Sequence, residues 1–165
     1  MNPPTAFIAL GSNLGDSRRI LEQAFARLQE LSATPVRRSS LWRSSPVDCP
    51  PGSPDFVNAA AAVTPLPDET PESLLSKLRA LEVEFGRRTK LVLNEPRPLD
   101  LDLIAFGSET RSTAQLTLPH PRASVRRFVL APLNELAPDL ILPGQPKTVA
   151  ELLESLPANE RVERY

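Results

Sequence analysis

Scarcity is the first information in this 165-residue chain, which has one cysteine, one histidine, one tryptophan and one tyrosine. The lone Cys49 cannot form an intramolecular bridge and belongs to no metal-spaced pair. That excludes a disulfide framework, argues against a zinc site and fits a reducing compartment. No run of 18 apolar residues occurs, and the N-terminus lacks a basic segment leading into an apolar stretch. Neither a membrane span nor an export signal is therefore expected, and the cytoplasm is the expected location. The net charge is −1, which argues against a general nucleic-acid binder. Repeats, low-complexity tracts and domain linkers are absent, as is the Gly-x-x-x-x-Gly-Lys phosphate loop, which excludes a P-loop enzyme.

What is present suits a folded domain. Apolar residues make up 41% and charged residues 24%, and the length is that of one domain, expected to span residues 1–165 with a core that needs no staple. The 19 prolines are scattered among loops, which stiffens them. Charge is unevenly placed. Between Gly86 and Phe128 stand Arg87, Arg88, Lys90, Arg97, Arg111, Arg122, Arg126 and Arg127, against Glu95, Asp100, Asp102 and Glu109. Local positive charge of this kind suits an anionic small molecule.

The order of elements is legible from periodicity and punctuation. "TAFIALGSN" reads as a strand ending at Gly11, followed by the capping residues Asp16 and Ser17 and a helix with Leu21, Ala24, Leu28 and Leu31 on one face. "PVRRSSLWRSSPV" and "DFVNAAAAV" read as two strands joined by the stiff "DCPPGSP", a candidate substrate loop. Thr70 before Pro71 opens the clearest helix, which carries Leu74, Leu78, Leu81 and Phe85 and closes at Gly86. A basic stretch then leads to the strand "LDLDLIAFG". The resulting order, strand, helix, strand, strand, helix, strand, is that of a ferredoxin-like α+β sandwich with a mainly antiparallel sheet. Beyond Gly107 an extended "LTLPHPR", a helix in "VRRFVLAPLNELAP" interrupted by Pro132 and a short helix in "TVAELLESL" are expected.

The run "PRPLDLDLIAFG" sets two acids inside an apolar strand. Residues two apart on a strand share a face, with Cα atoms about 6.6 Å apart at ~3.3 Å rise per residue. Asp100 and Asp102 thus face one way, and Leu99, Leu101 and Leu103 the other. Neighbouring carboxylates repel, so they must be solvated or share a cation. A solvated outer sheet face would accommodate them without any function. Against that, aspartate is disfavoured in strands, Arg97 lies just upstream, and His120 stands in "LPHPR" near Arg126. Carboxylates that hold Mg²⁺, with arginines and a histidine that face phosphate, make a phosphoryl-transfer set.

These motifs, collinear from "FIALGSNLGD" through "SSPV", "DFVNAAAAV", "LEVEFGRR", "PRPLDLDLIAFG" and "LTLPHPR" to "RFVLAPLNELAPDLILP", resemble the 6-hydroxymethyl-7,8-dihydropterin pyrophosphokinase family of folate biosynthesis. The resemblance implies transfer of pyrophosphate from ATP, the co-substrate, to the pterin hydroxymethyl group, with two Mg²⁺ ions and release of AMP. It implies that Asp100 and Asp102 are magnesium ligands and that Arg87, Arg97, His120 and Arg126 face the triphosphate. Leu103, Leu116 and Thr117 match the adenine surroundings. Asn58 resembles the reader of the pterin's polar edge, and Phe56 and Phe128 the aromatics that stack on it. Ser44, Ser45 and Val47 match a loop that meets the pterin through its backbone. Where the family usually has Trp-Gly-Pro-Arg, this chain has Asn94-Glu95-Pro96-Arg97, which removes an aromatic from the closing loop and adds a negative charge. Thr89 stands where a second loop arginine can occur, and Pro121 where a tyrosine is frequent.

The expected partners are ATP and the pterin, with no nucleic acid, no membrane and a monomeric chain. Two alternatives use the same residues: a nucleotidyltransferase or phosphohydrolase acting on a nucleotide, and a non-catalytic ferredoxin-like module. The latter would want a basic sheet face or exposed sheet aromatics for RNA, whereas this strand carries paired acids.

Overall fold

A computed structural model describes residues 3–46, 49–86, 96–158 and 160–165. Within them the chain runs β1 (Ala6–Ser12), α1 (Ser17–Leu28), β2 (Arg37–Arg38), β3 (Trp42–Ser44), β4 (Phe56–Val63), α2 (Pro71–Glu84), β5 (Asp100–Phe106), β6 (Arg111–Ser112), β7 (Thr117–Leu118), α3 (Arg127–Leu136), α4 (Val149–Ser155) and β8 (Val162–Arg164). The main sheet has the order β5-β1-β4-β3-β8, with β2 also on β4, and every pairing is antiparallel. This is the ferredoxin-like arrangement, extended by the chain's last strand.

Local chemistry explains the two helices of the core motif. The Asp16 carboxylate accepts the Arg19 N–H at 3.3 Å and starts α1, which buries Leu21, Ala24, Phe25 and Leu28. At α2 the Thr70 hydroxyl accepts from the Ser73 N–H and the Ser73 hydroxyl from the Thr70 N–H, with Pro71 as first helical residue. Such reciprocal caps satisfy donors that the helix itself cannot. Gly86, at φ +100, closes the helix in the left-handed region.

Helices cover both faces of the sheet. Leu21, Leu28, Leu74 and Leu78 pack with Ile8, Leu10, Ala61 and Leu101 on one face, and Leu130, Leu133, Leu142 and Val149 with Phe7, Ala62 and Ile104 on the other. With both faces covered, β4 is buried along nearly its whole length and does not alternate as a solvated sheet would. A register shift between Phe7 and Ile8 against β5 leaves Ile104 as the extra residue of a bulge, so Ile104 and Ala105 both reach the second cluster.

Pro132 does not interrupt α3: the helix runs Arg127–Leu136 with the proline inside. The lost hydrogen bond and the ring's crowding of the preceding turn are offset by burial of Val129, Leu130 and Leu133, at 6%, 0% and 1% exposure. The "PVRRSSLWRSSPV" strand is split into β2 and β3. At the break the Ser39 N–H donates to the Ala60 carbonyl and the Ala60 N–H to the Ser39 hydroxyl, so a side chain replaces a ladder acceptor. Buried Ser12, Asn13, Ser44, Asn58 and Glu82 gather where β1 and β3 finish and β4 and β5 begin.

Candidate active site

At that end of the sheet the ladder places three site residues in one row. Gly11 of β1 is the cross-strand partner of Asn58 on β4 and of Asp100 on β5, and Ala9 is the partner of Asp102. Directly opposed residues share a face, so the acids, Asn58 and, two residues away, Phe56 look toward α3. A Cβ at position 11 would come within 3.6 Å of the Asn58 Oδ1 and of Phe56 Cδ1, and glycine there keeps the floor between them open. The Asn58 Nδ2 donates to the Ser44 hydroxyl at 2.7 Å, which fixes the orientation of the amide and hence of its acceptor oxygen.

Two cavities meet at this row. The larger, about 510 Å³, is lined by Ser45, Phe56, Asn58, Arg97, Arg126 and Phe128 together with both aspartates. The smaller, about 190 Å³, is lined by Leu103, Leu116, Thr117, His120 and Arg79. Asp102 belongs to both. Phe56 and Phe128 are half-buried and present surface to the larger cavity, with Arg97 over the first ring and Arg126 over the second at 5.8 and 5.4 Å.

Burial, and next the neighbouring Asp100 charge, push the Asp102 carboxyl up to about 7, against the opposing pull of Arg79 and Arg126. Burial and the Arg126 charge hold His120 below its ordinary range. Its Nδ1 accepts the Arg122 N–H at 3.3 Å, so the neutral ring carries its proton on Nε2 as a donor. Burial, then Arg122, lowers Arg126. Among the described residues no group of three or more metal-ligating side chains occurs. The donor set is two carboxylates on one strand face. It suits Mg²⁺, a hard ion commonly held by one or two carboxylates and completed by phosphate oxygens.

Nearly every residue singled out from the sequence lies at these cavities. Ser44 is buried behind Asn58 and Ser45 reaches the cavity. Val47 and Arg87 lie outside the described residues, as do Thr89, Asn94 and Glu95 of the closing loop. The sequence reading missed four contributors. Asn13 holds Arg97 from both sides, its Oδ1 accepting the Arg97 N–H at 2.9 Å and its own N–H donating to the Arg97 carbonyl at 3.1 Å. Glu82 accepts the Leu101 N–H at 2.8 Å, while Arg79 donates to Glu82 and to the Leu101 carbonyl, both at 3.0 Å. Since β5 is the sheet's edge, this pair stands in for a missing neighbour strand. Glu160 also lines the larger cavity. Asn13 sits in the quoted "FIALGSNLGD" and Glu82 in "LEVEFGRR", which was the available signal. Glu160 had none.

The fold and the paired cavities fit a transferase with two small-molecule substrates, and the sheet face that an RNA-binding module would present is covered by α3. The sequence model of the 7,8-dihydro-6-hydroxymethylpterin-pyrophosphokinase family matches residues 7–138. The 2-amino-4-hydroxy-6-hydroxymethyldihydropteridine pyrophosphokinase of Synechocystis is 40% identical over 151 residues, 92% of this chain and 75% of its own. That of Pseudomonas aeruginosa is 40% identical over 161 residues, 96% and 94% of the two chains. A crystal structure of an HPPK-DHPS in complex with substrates superposes with a TM-score of 0.74 at 12% identity, over 94% of this chain. This chain spans 43% of that longer one, a likeness of fold. The chain belongs to the 7,8-dihydro-6-hydroxymethylpterin-pyrophosphokinase family.

Proposed function

We propose that the chain transfers pyrophosphate from ATP to 6-hydroxymethyl-7,8-dihydropterin in folate biosynthesis, releasing AMP. Family membership carries the reaction. The observation that supports the site assignment is that Asp102 is common to the two cavities, so two substrates lodged in them meet at the acidic pair. The pterin ring lies in the larger cavity between Phe56 and Phe128, its polar edge toward the Asn58 oxygen and the Ser45 loop. The adenine lies in the smaller one, against Leu103, Leu116 and Thr117.

The hydroxymethyl oxygen attacks the β-phosphorus in line. Its new O–P bond forms as the bond from that phosphorus to the α,β-bridging oxygen breaks, and the bridging oxygen leaves with AMP. The hydroxyl proton leaves to water, since carboxylates that hold cations are poor bases. Two Mg²⁺ ions held by Asp100 and Asp102 would supply neutralisation of the triphosphate charge. The Arg97 Nε is buried without a hydrogen-bond partner among the described residues, a donor that a phosphate oxygen would satisfy. His120 adds a neutral N–H and Arg126 a cation, so negative charge that develops in transfer meets donors already in place. Arg87 is assigned to the triphosphate by its match to the family motif. We take the reaction to run in the cytoplasm on a monomeric chain acting as one domain over residues 1–165. Among the described residues no helix is long and apolar enough to cross a membrane.

Measurement of AMP formed from ATP with and without the pterin tests the proposal. AMP should appear only with the pterin, matched by pterin diphosphate. Phosphate release without it would indicate a phosphohydrolase, and free pyrophosphate a nucleotidyltransferase.

A further inference from the structure

The last strand of the chain begins beside the larger cavity. β8 pairs with β3 in the register Trp42↔Arg164, Arg43↔Glu163 and Ser44↔Val162, and the Ser45 N–H donates to the Arg161 carbonyl at 3.3 Å. Arg161 then bonds the Ser45 hydroxyl at 3.1 Å and pairs with Asp55. At the other end the Tyr165 N–H donates to the Leu41 carbonyl at 2.9 Å, and Arg43 lies 4.9 Å from the Tyr165 ring centroid. Tied down on both sides, the tail carries Glu160, one residue before Arg161, to the cavity that Ser45, Cys49 and Asn58 also line. The Glu160 Oε2 is buried and has no hydrogen-bond partner among the described residues. Arg126, on the same cavity, feels its charge but makes no hydrogen bond to that oxygen. A buried carboxylate oxygen without a donor is costly, and a ligand N–H removes the cost.

The ligand class follows from what the cavity already offers. Asn58, its amide oriented by the Nδ2 bond to Ser44, has one side-chain acceptor oxygen. A pterin presents three donors along one edge, two on the 2-amino group and one on the adjacent ring nitrogen, and a carboxylate near the Asn58 oxygen and the Ser45 loop gives that edge a charged acceptor beside the neutral ones. We infer that Glu160 is a substrate-binding and specificity residue, whose carboxylate accepts hydrogen bonds from the 2-amino and ring N–H donors of the pterin. The inference rests on the pyrophosphokinase reading of the site and adds to it a contact supplied by the chain's C-terminal strand. It makes the tail a part of the binding cavity as well as an extra sheet edge.

Steady-state kinetics of the wild type, Glu160→Ala and Glu160→Gln test it, with 6-hydroxymethyl-7,8-dihydropterin and with the analogue whose 2-amino group is replaced by a carbonyl. Loss of a charge-assisted acceptor should raise the pterin KM about tenfold to a hundredfold in Glu160→Ala, with the ATP KM unchanged within about twofold. Glu160→Gln, which keeps the shape and one acceptor oxygen, should fall between. The wild type should discriminate against the 2-oxo analogue, and Glu160→Ala should discriminate much less. An unchanged pterin KM overturns the inference, as does a rise in the ATP KM as large as that for the pterin, which would make Glu160 a partner of Arg126. Should Glu160→Ala fail to fold, Glu160→Gln carries the test. Fluorescence titration with the pterin alone needs no turnover. It therefore tests Glu160 even if AMP never forms, an outcome that would defeat the pyrophosphokinase reading and not this one.

Discussion

The Leu101 N–H, on the free edge of β5, donates to the buried Glu82 carboxylate at 2.8 Å, in the peptide that separates Asp100 from Asp102. The bond crosses from α2 to the strand and sets the height at which both acids leave the sheet. Glu82→Ala strands that N–H and removes one of the two partners described for Arg79. A loss of about 2 kcal/mol in urea unfolding is expected, together with a fall in kcat. Glu82→Gln retains an acceptor and should recover most of both. Equal kcat in all three proteins would show that the clamp has no bearing on the acids.

Asp102 shapes the response to pH. Its carboxyl is raised from 3.8 to about 7, by burial and then by Asp100. The folded, metal-free protein therefore keeps a proton that the unfolded chain releases near pH 4. The resulting stabilisation is full below about pH 4 and is lost as pH rises through about 7. The melting temperature of metal-free wild type should fall across that window more steeply than that of Asp102→Asn, and parallel slopes would contradict the assignment. Because a cation must displace this proton, Mg²⁺ binding in the presence of a nonhydrolysable ATP analogue should weaken about tenfold for each pH unit below 7. Asp102→Ala should fold normally, because the side chain faces the cavity, and should lose turnover on the order of a thousandfold.

Asn13 and Arg97 should behave as one unit. The buried amide of Asn13 and its backbone hold the Arg97 backbone at 2.9 and 3.1 Å, so Asn13→Ala should cost about 1–2 kcal/mol of stability and release the arginine. Arg97→Ala should weaken ATP binding and slow transfer. In the double variant the kinetic losses should not add, because the second change removes nothing that the first had left in place. Additive losses would separate the two residues.

Much of the local structure was legible because its causes are local. The caps at Asp16 and Thr70 stand beside the turns they satisfy. The period-two pattern of "LDLDL" by itself puts Asp100 and Asp102 opposite Leu101 and Leu103, as the burial of β5 bears out. Pro132 was misread because a local rule, that proline stops a helix, was overridden by the burial of Val129, Leu130 and Leu133 around it.

Spacing and motif were enough to nominate the residues that gather at the cavities and to show which strand face the acids share, since side-chain direction on a strand depends only on the pleat. Folding alone decided that Gly11 lies between Asn58 and Asp100, that Asp102 is common to two cavities, that Glu82 and Arg79 complete an edge strand, and that Glu160 returns to the larger cavity. Those relations join segments as far apart as Ser45 and Arg161, 116 positions along the chain. They arise from strand order and helix packing, which leave no periodic trace in the residues they bring together.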